Sequence, residues 1–314
     1  MTKENTPSEL LAQSLKRLVI SKLPALLELA QPRGLKDMAR LLGIPRSGGK
    51  GRQWILKKGT TPILAVAHAD CTQKAAYVSD VIQHPMGNLV FYPKVDDRLG
   101  LFTFLHILPT LGIHPSILVT DHEEEGASTG REFAELIGAK HSWNWMVMFD
   151  RSGDDVVTYG YTSKETERLV ASVGLENRHG AYSCISVMKD MGILGFNWGT
   201  GYENNHSLFG YFDLDVYIDM VLRFVEFWTM YGGTKLEYLA PAPRSLKAWL
   251  PGKMMYPANE YPSYPFDDLL DPDVSRYCPY CAQLYFATIL HCQQCNAMTL
   301  PLEPIPLNLG KDVY

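Results

Sequence analysis

The sequence predicts an α/β protein: a mixed, mostly parallel central sheet flanked by helices, followed by a small cysteine-rich module. Three observations carry that expectation. Short apolar runs of strand length alternate with longer amphipathic stretches from Ile63 to Tyr231. The 314-residue length suits one large domain with an appendage. Several of the apolar runs end in carboxylates or imidazoles, and open α/β sheets build their sites beyond the carboxyl ends of strands.

The elements follow in order. Residues 8–32 read as a helix, with Leu10, Leu11, Leu15, Leu18 and Val19 at helical spacing. Leu35–Leu42 reads as a second helix that Gly43 ends. A basic loop with Arg46, Lys50, Arg52, Lys57 and Lys58 comes next. Its glycines do not form a phosphate loop, because the Gly-Lys-Ser/Thr pattern and a preceding strand are both missing. Gln53–Lys57 and Ile63–Ala67, joined through Gly59 and Pro62, read as an antiparallel hairpin entering the sheet. Further strands are expected at Leu89–Tyr92, Ile117–Val119, Trp145–Phe149 and Ile193–Asn197. Helices are expected at Leu99–Leu111, Arg131–Ile137, Glu165–Val173 and Leu214–Tyr231. Prolines then recur from 241 to 272, and the composition divides the chain into a main domain (1–240), a Pro/Tyr-rich linker (241–275), a cysteine module (276–300) and a tail (301–314).

Composition narrows the function classes. A net charge of −5 offers no global field for nucleic acid. No stretch reaches the ~18 apolar residues of a membrane span, and the polar, amphipathic start lacks a secretory leader's pattern. The expected compartment is therefore the cytoplasm, where six cysteines are thiols or metal ligands rather than disulfides.

Five clusters carry candidate chemistry: His68-Ala-Asp70, Asp96-Asp97-Arg98-Leu99-Gly100, Asp121-His122-Glu123-Glu124-Glu125-Gly126, Asp150, and His206 in a polar loop. Each has a plain reading by itself. A lone His-x-Asp is usually a surface or core pair, an acidic run is usually a solvated face, and Asp before a helix is usually a cap. Their repeated placement after apolar strands is what raises them above that.

In this order the clusters resemble the co-catalytic di-zinc aminopeptidase superfamily, which includes leucyl and tetrahedral aminopeptidases. The resemblance spans roughly residues 50–230. It implies a zinc-peptidase-like fold and a residue-by-residue set of roles. Asp96 bridges two metals; Glu124 and His206 complete one site; His68 and Asp150 complete the other. Glu123 is the general base, and Asp70 holds the second nitrogen of His68. The resemblance also implies a cis Asp96–Asp97 peptide. Asn205 or Tyr202 stands where some relatives place an oxyanion-supporting tyrosine. The short interval from His68 to Asp96 leaves no room for an inserted lid domain, whereas the Asp-Asp-Arg-x-Gly run is more like the tetrahedral type. A third glutamate makes Glu124/Glu125 an alternative to Glu123/Glu124; the spacing to Gly126 favours the latter.

The residue chemistry is coherent by itself. Zinc takes imidazole nitrogen and carboxylate oxygen and keeps a position open in catalytic sites. Three carboxylates and one hydroxide balance two such ions. Co²⁺ or Mn²⁺ also suits these ligands. Cys278-Pro-Tyr-Cys281 and, ten residues on, Cys292-Gln-Gln-Cys295 form the spacing of a zinc ribbon with one structural zinc. Arg276 is the only Lys or Arg from 276 to 300, which favours a protein partner or self-association through ribbon or linker over nucleic acid. The expected activity is hydrolysis of short peptides, with a non-peptidase deacylase on the same site or a catalytically silent scaffold as the alternatives.

Overall fold

The computed structural model describes residues 6–85 and 87–239, and in the C-terminal part the backbone of 274–277, 284–286 and 300–301. Contacts divide the chain into two units, Met1–Arg244 and Ser245–Tyr314.

The first unit begins with α1 (Pro7–Ala30), where Thr6 and Glu9 form a reciprocal capping box, and α2 (Leu35–Leu42), which a left-handed Gly43 ends. Then follow β1 (Ser47–Gly49), β2 (Arg52–Lys57), β3 (Thr61–His68), β4 (Ile82–His84), β5 (Gly87–Phe91) and α3 (Val95–Phe102). After β6 (Pro115–Thr120) come α4 (Gly130–Ile137), β7 (Met146–Ser152), β8 (Val156–Val157), α5 (Lys164–Ala171) and β9 (Asn177–Arg178). The unit closes with β10 (Gly195–Glu203), β11 (Tyr211–Asp213) and α6 (Leu214–Tyr231). Among the described residues no helix is long and apolar enough to cross a membrane.

These strands form one mixed sheet in the order β1-β2-β6-β3-β7-β10-β11-β5-β4, with β8 and β9 joined beside β10. Its centre, β6-β3-β7-β10, is parallel, as is the short β8-β9 pair; both flanks pair antiparallel. The expectation of a mostly parallel sheet is thereby corrected to a parallel core with antiparallel flanks. The flanks are short, exposed or interrupted strands such as β4 and β11, which are too brief to show a period in the sequence.

The expected hairpin of β2 with β3 does not form. β6 lies between them, antiparallel to β2 (Ile55 opposite Val119) and parallel to β3 (Ala67 opposite Val119). The connecting loop makes room for it. The N–H groups of Thr60 and Thr61 both donate to the His114 carbonyl. A Cβ on Gly59 would sit 2.2 Å from the Pro115 carbonyl carbon, so a residue without a side chain lets the loop close over the start of β6. β2 makes its hairpin with β1 instead.

α3 and α6 pack on β3, β7 and β10, and α1 packs on α3 and α6. The joint is aromatic. Trp145 and Phe149 of the β7 segment and Phe196 and Trp198 of β10 meet Phe224 and Phe227 of α6 edge-on, with ring centroids such as Phe149–Phe224 at 5.1 Å. The long helix expected over 99–111 is broken into α3, a π turn at Thr103–Ile107 and a 3-10 turn at Leu108–Leu111, because Pro109 cannot continue the α-helical bonding.

In the second unit, β12 (Val274–Tyr277) pairs antiparallel with both β13 (Leu284–Phe286) and β14 (Leu300–Pro301). Cys278, Cys281, Cys292 and Cys295, and the linker aromatics Trp249, Tyr256, Tyr261 and Tyr264, lie outside the described residues.

Candidate metal centre

The parallel core brings the clusters to one edge. His68 closes β3 opposite Thr120, the last residue of β6. β3 pairs with β7 at Leu64–Met146 and Ala65–Val147, and the same offset puts Asp150 level with His68. Asp150 sits inside β7 rather than after it, at a register irregularity with β10 that the Asn197 side chain closes. Asn197 accepts the Asp150 N–H at 3.0 Å and donates to its carbonyl at 3.2 Å. Glu123 and Glu124 occupy the tight turn after β6, where His122 takes a left-handed φ of 62°. His206 has a φ of 58° and Asn204 one of 53° in the loop that follows β10. Non-glycine residues are uncommon in that region and concentrate at functional sites.

Two groups of three converge: His68, Asp96 and Asp150, and Asp96, Glu124 and His206, each with its ligand-type atoms within 4.8 Å of one another. Asp96 is common to both. Its Oδ1 lies 2.9 Å from His68 Nε2, and its Oδ2 lies 3.1 Å from His206 Nε2. Glu124 Oε2 is 2.9 Å from His206 Nε2, and Asp150 Oδ2 is 3.8 Å from His68 Nε2. The Glu123 carboxylate is 3.9 Å from His68 Nε2, close to both groups and a member of neither. Glu125 points away; it is exposed and pairs with His122. The Asp96–Asp97 peptide is cis.

Asp70 is placed beside His68, but mostly through its backbone. Its carbonyl lies 3.0 Å from His68 Nδ1, its Oδ1 only 3.4 Å away, and its Oδ2 accepts the Glu124 N–H at 2.9 Å. Tyr202 turns its hydroxyl to the Asp150 carbonyl, and Asn205 donates to Asp96 Oδ2 at 3.2 Å. Cys71 is half-buried, and Cys184 is buried with Sγ 3.0 Å from Thr120 Oγ1. Two contributors carried no signal that spacing could reveal: Asn197 behind Asp150, and Gln73, whose amide donates to the His206 carbonyl at 2.6 Å; Arg98 stood in the Asp-Asp-Arg-x-Gly run, but its place buried behind His68 did not follow from that spacing.

The electrostatics are those of crowded anions. Burial, then Asp96, Glu124 and Asp70, push Glu123 up to about 7 against the pull of His68. Burial, then Asp96 and Asp97, push Asp150 well above the usual carboxylate range. Burial also works on Asp96, but hydrogen bonds from His206 and His68 outweigh it and hold that carboxyl well below its ordinary value. His206 is raised to about 10 by Asp96 and Glu124.

The donor set fits divalent metal. Asp150 Oδ1, Glu124 Oε1 and Asp70 Oδ1 are buried without a hydrogen-bond partner, which is costly in a protein interior. If Nδ1 of His68 donates to Asp70, Nε2 faces the Asp96 and Asp150 carboxylates either with a second proton or with a lone pair, and a divalent cation would take the place of that proton. Imidazole nitrogen and carboxylate oxygen are the ligands zinc takes.

No protein-family model matches the chain, and no curated protein matches it. Solved structures with a similar trace include an aminopeptidase PepT from Bacillus cereus (12% identity, 68% of this chain and 99% of that chain, TM-score 0.46). A tripeptidase from Staphylococcus aureus gives 13% identity over 67% of this chain and 98% of that chain, with a TM-score of 0.45. An aminopeptidase from the archaeon Desulfurococcus kamchatkensis gives 14% identity over 68% and 92%, with a TM-score of 0.43. At these overlaps the likenesses decide nothing about activity, which has to be argued from the residues.

Proposed function

We propose that the protein is a two-metal hydrolase of amide bonds, an aminopeptidase acting on short peptides, with zinc as the metal. The observation that carries this reading is the Asp96 carboxylate, which turns one oxygen to each of two imidazole–carboxylate groups while Glu123 stands beside both. His68, Asp96 and Asp150 would hold one ion, and Asp96, Glu124 and His206 the other. Two such ions supply an activated water and polarise the scissile carbonyl.

The chain's own residues do the rest. Glu123, a member of neither ligand group, accepts the water proton and returns it to the leaving amine. Asp70 fixes the His68 ring through Nδ1 and the Glu124 backbone through Oδ2, so one residue orients a ligand on each side. His206 has a side chain 48% exposed while Asp150 is only 6% exposed, so substrate approaches from the His206 side. A third zinc on Cys278, Cys281, Cys292 and Cys295 belongs to the same proposal, because a segment this short depends on metal for its folding energy.

The test is metal content with peptide hydrolysis. Wild type is expected to carry about three zincs and Asp96→Ala about one, with release of an N-terminal residue only by wild type. Cleavage of N-acylated amino acids but not of free-amine peptides would move the reading to a deacylase. One zinc in both proteins, unchanged by added Zn²⁺, Co²⁺ or Mn²⁺, would leave an interaction scaffold.

A further inference from the structure

The Asp96-Asp97-Arg98-Leu99-Gly100 run contributes more than its first carboxylate. Arg98 is wholly buried, and among the described residues it has no carboxylate within ion-pair distance. Its two terminal nitrogens donate to backbone carbonyls instead, Nη1 to His68 at 3.0 Å and Nη2 to Ala69 at 2.5 Å. The preceding side chain takes the other side of the same residue: Asp97 Oδ2 accepts the His68 N–H at 3.2 Å. His68 is thus gripped at both its N–H and its carbonyl by the two residues that follow Asp96 in the chain.

Gly100 completes the arrangement. A Cβ there would meet Asp97 Oδ1 at 2.1 Å and the Phe149 carbonyl at 2.9 Å, so only a residue without a side chain leaves the Asp97 carboxylate its seat. A buried guanidinium is a costly way to satisfy two strand-end carbonyls. Its planar fork, however, holds two acceptors at a fixed separation, which a lysine point charge cannot do.

We propose that Asp97 and Arg98 are positioning residues that lock the His68 backbone to the segment bearing Asp96 and so set the geometry of the His68–Asp96–Asp150 metal site far more than that of its neighbour. This rests on the two-metal reading above. The other site takes Glu124 and His206 from the turn after β6 and the loop after β10, neither of which Asp97 or Arg98 touches.

The experiment is Co²⁺ and Zn²⁺ titration of the full-length chain against a competing chelator, with kcat and KM measured in parallel. Thiolate-bound Co²⁺ is scored separately by its charge-transfer absorption. In wild type two ions bind outside the cysteines. In Arg98→Lys the affinity of one falls by about 10- to 100-fold and the other stays within about twofold, the range expected when a ligand's supporting contact is lost. In a His68→Ala background the Arg98→Lys change costs nothing further, since the residue it positions is gone. Asp97→Ala repeats the one-site loss and Asp97→Asn, which keeps an acceptor, recovers part of it; this pair serves if the Arg98 variant does not fold. Variants that bind both ions as wild type does, whatever their melting temperature, would overturn the positioning role, as would equal weakening of both sites. A wild type that binds no ion outside the cysteines would instead defeat the two-metal reading itself.

Discussion

His68 and His206 offer the same ring nitrogen to the same carboxylate, but from opposite kinds of backbone. His68 ends a central parallel strand, is fully buried, and is held through its N–H, its carbonyl and its Nδ1 by Asp97, Arg98 and Asp70. His206 sits in a loop in left-handed conformation, half exposed, with its carbonyl tied by the Gln73 amide. One half of the centre is thus built into the sheet and the other is brought to it by a loop. Such a division gives a site both a rigid reference and an open side, because loops positioned by a scaffold carry function where the scaffold itself cannot open.

The strongest way to break this comparison is to remove the ligand the halves share. Asp96→Ala is expected to lower kcat/KM by at least about 10⁴-fold, ~5.5 kcal/mol of transition-state stabilisation. A residual activity near wild type would mean that the two halves are not one centre. Glu123→Gln should lower kcat by about 10²- to 10⁴-fold while elemental analysis still finds the wild-type metal content, because in the proposed mechanism the residue moves a proton and is no ligand; Glu125→Gln should change neither.

The two histidines themselves differ in a subtler readout. In the chelated protein, His68→Ala should cost about 2–4 kcal/mol of stability, since it leaves a cavity among buried carboxylates. His206→Ala leaves no cavity in the sheet but removes the hydrogen-bond partner of Asp96 and Glu124, and should cost less, about 1–2 kcal/mol. Urea unfolding in excess chelator measures both, and equal losses would erase the rigid-versus-loop distinction. Smallest is Gln73→Ala, which removes one partly solvated hydrogen bond. It should weaken metal binding by about fivefold, ~1 kcal/mol, with no change in unfolding midpoint.

Legibility varied with how local the signal was. The span of α6 is read directly from Leu214–Tyr231, because an amphipathic period over five turns has one interpretation. The order of ligand types along the chain was legible too, since His, Asp and Glu are chemically distinctive. The choice of Glu124 over Glu125 was favoured only by the spacing to Gly126: three adjacent glutamates are chemically alike until the turn made by His122 and Gly126 aims one at His206 and one at solvent. The role of Asn197 was not legible, since its side chain looks like any polar interruption of a strand until the irregularity at Asp150 leaves backbone groups for it to satisfy.

From its amino-acid order alone most of this protein's helices, its central strands, the cysteine spacing and the inventory of candidate ligands could be read, because periodicity and residue chemistry are local. Tertiary structure alone decided that β6 would enter between β2 and β3, that the backbone of Asp70 rather than its carboxylate would lie nearest His68, and that Asp97 and Arg98 would grip that residue. These outcomes depend on which distant backbone groups are left unpaired when the strands assemble. A buried N–H or carbonyl is satisfied by whichever side chain the finished packing brings within reach.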